Sequence, residues 1–107
     1  MMDAMAILAD PTRRAILQMV WGREVAAGKI AASFDVTAGA ISQHLAKLRE
    51  TGLVRMRRAG RNWFYEADLD ALGPLAPALE AMWRSKLDEL RALAEAEQRA
   101  IDEEGAA

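Results

Sequence analysis

The sequence has no cysteine and a single histidine among its 107 residues. The first absence excludes a disulfide framework, thiolate metal sites and a cysteine nucleophile together, and the second leaves few routes to acid–base catalysis near neutral pH. No uninterrupted apolar run approaches the ~20 residues needed to span a bilayer, and the start of the chain carries Asp3 where a signal peptide would carry basic side chains. A cytoplasmic protein without a membrane partner is therefore expected. No glycine-rich loop that could cradle phosphate is present either, so an enzyme is not expected, and no catalytic residue, metal ligand or cofactor is assigned. What is present is a composition of 52% apolar and 28% charged residues. That suits one globular domain spanning residues 1–107, because a single core typically organises about 100 to 150 residues.

The net charge of -2 hides a division along the chain. Between Thr37 and Tyr65, Lys47, Arg49, Arg55, Arg57, Arg58 and Arg61 stand against Glu50 alone, a local net of +5. From Ala71 to Ala107 four basic side chains face eight acidic ones, a net of -4. A basic segment in an otherwise acidic chain is the footprint of a polyanion partner, and a solvated charged face is its plainer alternative.

Helical spacing of Met2, Met5, Ala6, Leu8 and Ala9 marks a first helix. Asp10 followed by Pro11 then reads as an N-cap with proline at the first helical position, opening a second helix whose stripe is Ala15, Ile16, Met19 and Val20 and whose stop is Gly22. Arg13 and Arg14 sit at the start of that helix, against its dipole, which suggests an anion or carboxylate partner and makes phosphate contact plausible. Val25, Ile30, Ala31 and Phe34 line a short third helix, with a tight turn about Asp35, a residue that tolerates the left-handed conformation. Thr37 is the expected N-cap of a fourth helix with an apolar stripe of Ile41, Leu45 and Leu48, ended by Gly52. Leu53–Arg58 and Asn62–Ala67 read as a β-hairpin with Arg57, Arg58 and Arg61 clustered at its tip. After a break at Gly73, Pro74 and Pro77, the spacing of Leu75, Leu79, Met82, Trp83, Leu87, Leu90 and Ala94 predicts a helix to about Glu103, on the order of 40 Å long. Ile101–Ala107 reads as a frayed acidic tail.

Helices, tight turn, capped helix, basic hairpin and long helix in this order predict a mainly α protein with a small β-hairpin. The architecture is a winged helix-turn-helix with dimerising N- and C-terminal helices. Residues about 10–67 form the DNA-binding core, with 1–9 and about 74–104 as dimerisation helices. A helix whose first turn is small and polar can enter a major groove about 12 Å wide. Thr37, Ala38, Gly39, Ser42, Gln43, His44 and Lys47 on helix 38–51, together with Arg57, Arg58 and Arg61 on the wing 53–67, are the candidate contacts to double-stranded DNA. Ser42 and Gln43 are placed to reach base edges, and the arginines to grip phosphates or the minor groove. His44 cannot share a proton with Ser42, two positions away on a helix, so it is assigned to the DNA backbone rather than to chemistry, with packing as the alternative. Met2, Met5, Leu79, Met82, Trp83, Leu87 and Leu90 are the candidate homodimer interface. Trp63 and Trp83 could instead line a pocket for an unknown small-molecule effector, although packing is the simpler role for both.

The residues also resemble a known family. Leu8-Ala9-Asp10-Pro11-Thr12-Arg13-Arg14-Ala15-Ile16-Leu17 is similar to the entry into the second helix of ArsR-type bacterial repressors. Ala40-Ile41-Ser42-Gln43-His44-Leu45-Ala46-Lys47-Leu48-Arg49-Glu50-Thr51-Gly52-Leu53-Val54 resembles their recognition helix and its exit, and Gly60-Arg61 with Tyr65 resembles their wing. The likeness covers about residues 5 to 66. It implies a homodimeric repressor that binds a palindromic operator near its own gene and leaves on a signal. Where many such proteins hold metal through cysteines, this chain has Glu24-Val25-Ala26-Ala27-Gly28, and its C-terminal helix lacks the histidines of other members. That places it with the metal-free branch. A winged-helix protein-interaction module without specific DNA binding is the alternative reading, since fold alone does not decide between them.

Overall fold

Two local signals set where α2 begins. In the computed structural model, which describes residues 4–106, α1 spans Ala4–Leu8 and α2 spans Pro11–Met19. The Asp10 side chain accepts the N–H groups of Thr12 and Arg13 at 2.8 and 3.1 Å, and Pro11 costs nothing at a position whose N–H has no helical partner. Met2 lies outside the described residues.

The chain continues through β1 (Val25–Ala26), α3 (Ala27–Ala32), α4 (Ala38–Glu50), β2 (Val54–Ala59), β3 (Asn62–Ala67), α5 (Leu69–Leu72) and α6 (Leu75–Ala106). It forms two compact units, one up to Leu72 and one from Gly73 onward. In the first, Ile7, Ile16, Leu17, Val20, Ile30, Ile41, Leu48 and Leu53 make the core, each no more than 2% exposed. Burying side chains of this size contributes ~1.5–3 kcal/mol apiece before conformational entropy is counted.

α4 starts and stops where its sequence directs. Thr37 caps it through Ala40, and the end is a Schellman motif in which Leu53 N–H reaches the Leu48 carbonyl and Gly52 N–H reaches Arg49, at 3.0 Å each. Gly52 has φ +77°, a conformation closed to most side chains, and the turn buries Leu53 beside Leu48.

The sheet has the order β1-β3-β2, antiparallel throughout. β2 and β3 pair over their whole length from Val54↔Ala67 to Ala59↔Asn62, leaving Gly60 and Arg61 as a two-residue turn. Gly60 has φ +63° and Arg61 does not, as a type II′ turn requires. Backbone bonds fasten the base of the hairpin to the helices, from Ala67 N–H to the Val20 carbonyl at 3.0 Å and from Asp68 N–H to the Leu53 carbonyl at 2.9 Å.

Three sequence expectations need correction. Val25 is not in the third helix: it pairs with Tyr65 as part of β1, so the hairpin becomes a three-stranded sheet. A β-branched residue pairs readily on a pleated edge, and two residues carry too little periodicity to distinguish strand from helix. Next, α3 ends at Ala32 and Phe34 lies beyond it in the turn to α4. That turn holds no left-handed residue, so Asp35 is not conformationally special. Finally, α6 continues to Ala106, past the point where a frayed tail was expected, because Ala, Glu, Gln and Arg keep favouring helix.

α6 has 32 residues and is about 48 Å long. Pro77 lies in its first turn, where a missing N–H is harmless. No helix among the described residues is long and apolar enough to cross a membrane.

Candidate nucleic-acid interface

α4 has a clear inside and outside. Ile41, Leu45 and Leu48 are buried, and the opposite side exposes Ala38, Gly39, Ser42 and Gln43. Gly39, Ser42 and Gln43, spaced three and four apart, share one outward face. Gly39 presents no side chain there, and a Cβ at that position would meet nothing within 4 Å. The face is therefore low at its N-terminal end and polar just behind it. Thr37 stays exposed while its hydroxyl oxygen accepts the Ala40 N–H at 3.1 Å, which leaves the hydroxyl proton free to donate outward.

His44 and Lys47 are turned part-way inward, both half-buried. Nδ1 of His44 is buried without a hydrogen-bond partner, and the ring lies near enough to Asp10 to interact with its carboxylate. Partial burial works against the Asp10 charge. The N–H groups of Arg13 and Thr12 outweigh it, with His44 and Arg13 acting in the same direction, and the carboxyl is held below its ordinary value. His44 therefore lies within electrostatic reach of the cap of α2 without a hydrogen bond from Nδ1 to it.

The wing arginines do not form one cluster, because successive side chains on a strand point to opposite faces. Arg58 shares a face with Val54 and Met56, and at the tip its guanidinium stacks over Trp63 at 5.5 Å while Nε donates to the Gly60 carbonyl at 3.2 Å. Arg61, in the turn itself, is exposed. Arg57 points the other way. Its guanidinium lies over the Phe64 ring at 5.3 Å and reaches Glu24 beyond, Nε to Oε1 at 2.9 Å and Nη2 to Oε2 at 2.7 Å. The hydrogen bond from Arg57 outweighs the opposing desolvation and, with the smaller effects of the Arg57 and Arg55 charges, holds the Glu24 carboxyl below its usual value. On the same outer face Arg55 stands opposite Glu66 in the register, with an ion-pair separation of 3.8 Å. Sequence reasoning found the arginines but neither Glu24 nor Glu66 as their partners. Glu66 follows from the hairpin register, whereas Glu24 becomes visible only once β1 is known to be a strand.

Arg13 and Arg14 have acquired partners other than an anion. Arg13 Nε donates to the Ile7 carbonyl at 2.6 Å, and Arg14 Nη1 donates to the carbonyls of Leu8 and Ala9 at 2.7 and 3.1 Å. Both close the C-terminal end of α1, where positive charge suits the helix dipole. Their unfavourable position on α2 is explained by that contact.

On α6 the spacing of Leu79, Met82, Trp83, Leu87 and Leu90 puts them on one side of the helix. Leu79 is buried, Trp83 half-buried, and Met82, Leu87 and Leu90 exposed, as is Met5 on α1. Leu93 and Ile101 extend the exposed stripe. The residues present do not fit a metal: the segment beginning at Glu24 offers no thiol, Glu24 is engaged with Arg57, and no group of three or more His, Asp or Glu among the described residues could hold an ion.

Comparison with known proteins points in one direction. Residues 8–57 match the family described as a helix-turn-helix domain. The HTH-type transcriptional regulator Rv2034 of Mycobacterium tuberculosis is 38% identical over 80 residues, 75% of either chain. Among solved structures, a possible transcriptional regulator for arsenical resistance superposes with a TM-score of 0.67 at 37% identity, covering 86% of this chain and 96% of that one. An ArsR-like transcriptional regulator from Rhodococcus sp. RHA1 gives 0.60 at 32% identity, covering 84% and 88%.

Proposed function

The chain belongs to the ArsR-type family of winged helix-turn-helix, DNA-binding transcriptional regulators, and on that premise we propose that it acts in the cytoplasm as a homodimeric repressor of a palindromic operator. The observation that carries this reading is the outward face of α4. Small residues at Ala38 and Gly39 let the helix start close to a groove floor, and Ser42 and Gln43 follow with hydrogen-bonding groups for base edges. Gln43 suits adenine, whose N6 and N7 it can bond together. Thr37 and the open N–H groups of the first turn take a phosphate, with Lys47 and the tip arginines Arg58 and Arg61 on others. His44, half-buried on α4, takes the packing role, the alternative to a backbone contact.

Two copies join through the exposed stripe of α6, with Met5 of α1 as a second contact. A two-fold dimer sets the recognition helices one helical turn apart, about 34 Å. Repression then needs only occupancy, since a dimer on its operator excludes other proteins from the same grooves. A small-molecule effector that releases it is part of this reading, with Trp83, the aromatic on α6, as a candidate lining residue.

Footprinting on the duplex upstream of the chain's own gene tests the proposal. Two protected half-sites related by a dyad and spaced about 10 base pairs apart, or a multiple of that, are expected. Uniform protection without half-sites would contradict it.

A further inference from the structure

The outer face of the wing sheet is positively charged in sequence and neutral in structure. Arg55 and Arg57 both project from it, and each meets a carboxylate, Glu66 and Glu24. Because β3 lies between β1 and β2, Arg57 crosses the middle strand, over Phe64, to reach Glu24 at the opposite edge. The Nε and Nη2 side of its guanidinium is then engaged by both oxygens of one carboxylate, the two-bond geometry in which arginine also binds phosphate. At the tip, Arg58 and Arg61 have no carboxylate within ion-pair distance among the described residues.

Holding the hairpin in place does not account for this contact. The full β2–β3 register, the buried Val54 and Ala67, and the backbone bonds to Val20 and Leu53 already fix it. The Arg57 and Glu24 side chains are 57% and 36% exposed, and pairs so open to solvent add little to stability. Their effect on charge is larger, because every unpaired cation near duplex DNA adds to sequence-independent affinity.

We infer that Glu24 is an internal stand-in for phosphate: by occupying Arg57 it keeps the outer face of the wing off the DNA backbone and confines the wing's grip to Arg58 and Arg61. This rests on the reading above that the wing meets duplex DNA. Phosphates are the same in every sequence, so Glu24 lowers binding to the operator and to unrelated DNA alike, and sets the strength of the wing's grip without changing the preference between duplexes. It is an affinity-setting residue that touches neither base nor phosphate.

Glu24→Gln keeps the size of the side chain and removes its charge. Fluorescence titration of the full chain with an unrelated duplex is expected to show binding about three- to tenfold tighter than wild type, of the order of one exposed charge contact. The slope of log affinity against log salt should steepen by about 1 per protomer. The paired variant Glu24→Gln with Arg57→Gln, again uncharged at this face, should return to within about twofold of wild type. Unchanged or weaker binding by Glu24→Gln overturns the inference, as does a paired variant well below wild type, which would mean that Arg57 contacts DNA in the native wing. Circular dichroism melting of each variant confirms that the fold is intact. Arg58→Ala with Arg61→Ala separates the two levels. If that variant binds as wild type does, the wing reading itself fails. If it weakens while Glu24→Gln does not tighten, only the role given to Glu24 fails.

Discussion

The hydroxyl oxygen of Thr37 accepts the backbone N–H of Ala40 at 3.1 Å, so the residue that opens α4 also stands at the edge of its exposed polar face. Cap and exposed polar group are thereby combined in one side chain. Thr37→Ala is expected to lower the unfolding free energy by about 1 kcal/mol, while Thr37→Ser keeps most of it. Urea unfolding followed by circular dichroism measures the difference, and equal stability of the two variants would remove the cap from this account.

Gln43 and the tip arginines should separate specificity from affinity. Gln43→Ala is expected to cost about 1–3 kcal/mol on the operator and nothing on an unrelated duplex, because only the operator offers the base it pairs with. Competition titration gives both numbers, and an equal loss on the two duplexes would place Gln43 on the backbone.

Arg58→Ala with Arg61→Ala should weaken both duplexes alike. If each arginine neutralises one phosphate, a dimer loses four contacts, and the salt slope becomes shallower by about 3 to 4. A loss confined to the operator would show instead that the wing reads sequence.

Asp10 predicts a pH dependence. Its folded-state carboxyl is held below the ordinary value. The unfolded chain therefore binds the proton more readily, and the stability contributed by the charged cap is fully present above the ordinary carboxylate value and lost as pH falls through the folded one. Asp10→Ala should be less stable than wild type by about 0.5–2 kcal/mol at neutral pH. Thermal melts from neutral to strongly acidic pH are expected to bring the two together, and a gap that persists in acid would contradict this origin.

The α6 stripe gives the oligomer test. Leu87→Glu with Leu90→Glu puts four carboxylates into the proposed dimer interface, and sedimentation equilibrium is expected to give the monomer mass. A variant that remains dimeric would locate the interface elsewhere.

Most of the fold could be read from the sequence because its boundaries are set by local chemistry. Asp10-Pro11, Thr37 and Gly52 act within three or four residues, and the stripe of Ile41, Leu45 and Leu48 defines the inside of α4 by spacing alone. What escaped depends on tertiary neighbours. Val25 fits a helical stripe as well as a strand until Tyr65 is placed beside it. Arg13 and Arg14 look exposed to an anion until the carbonyl end of α1 is brought to them. Arg57 looks like its neighbours Arg58 and Arg61 until the pleat turns it to the other face, and its partner lies 33 positions away. The basic count from Thr37 to Tyr65 was correct as a sum and misleading as a distribution, because Glu66 follows the segment directly and Glu24, well before it in the chain, is brought to it only by the fold.

The central claim is that this chain reads a particular duplex with α4 and holds it largely by phosphates. Its most direct test is a fluorescence anisotropy titration of the wild-type protein at two salt concentrations, against duplex from upstream of its own gene and against an unrelated duplex. The account predicts a preference of at least about 1,000-fold for the first. It also predicts a slope of log affinity against log salt between about -5 and -9, as six to ten phosphate contacts require. Equal, weak binding to both duplexes with a slope near zero would contradict it.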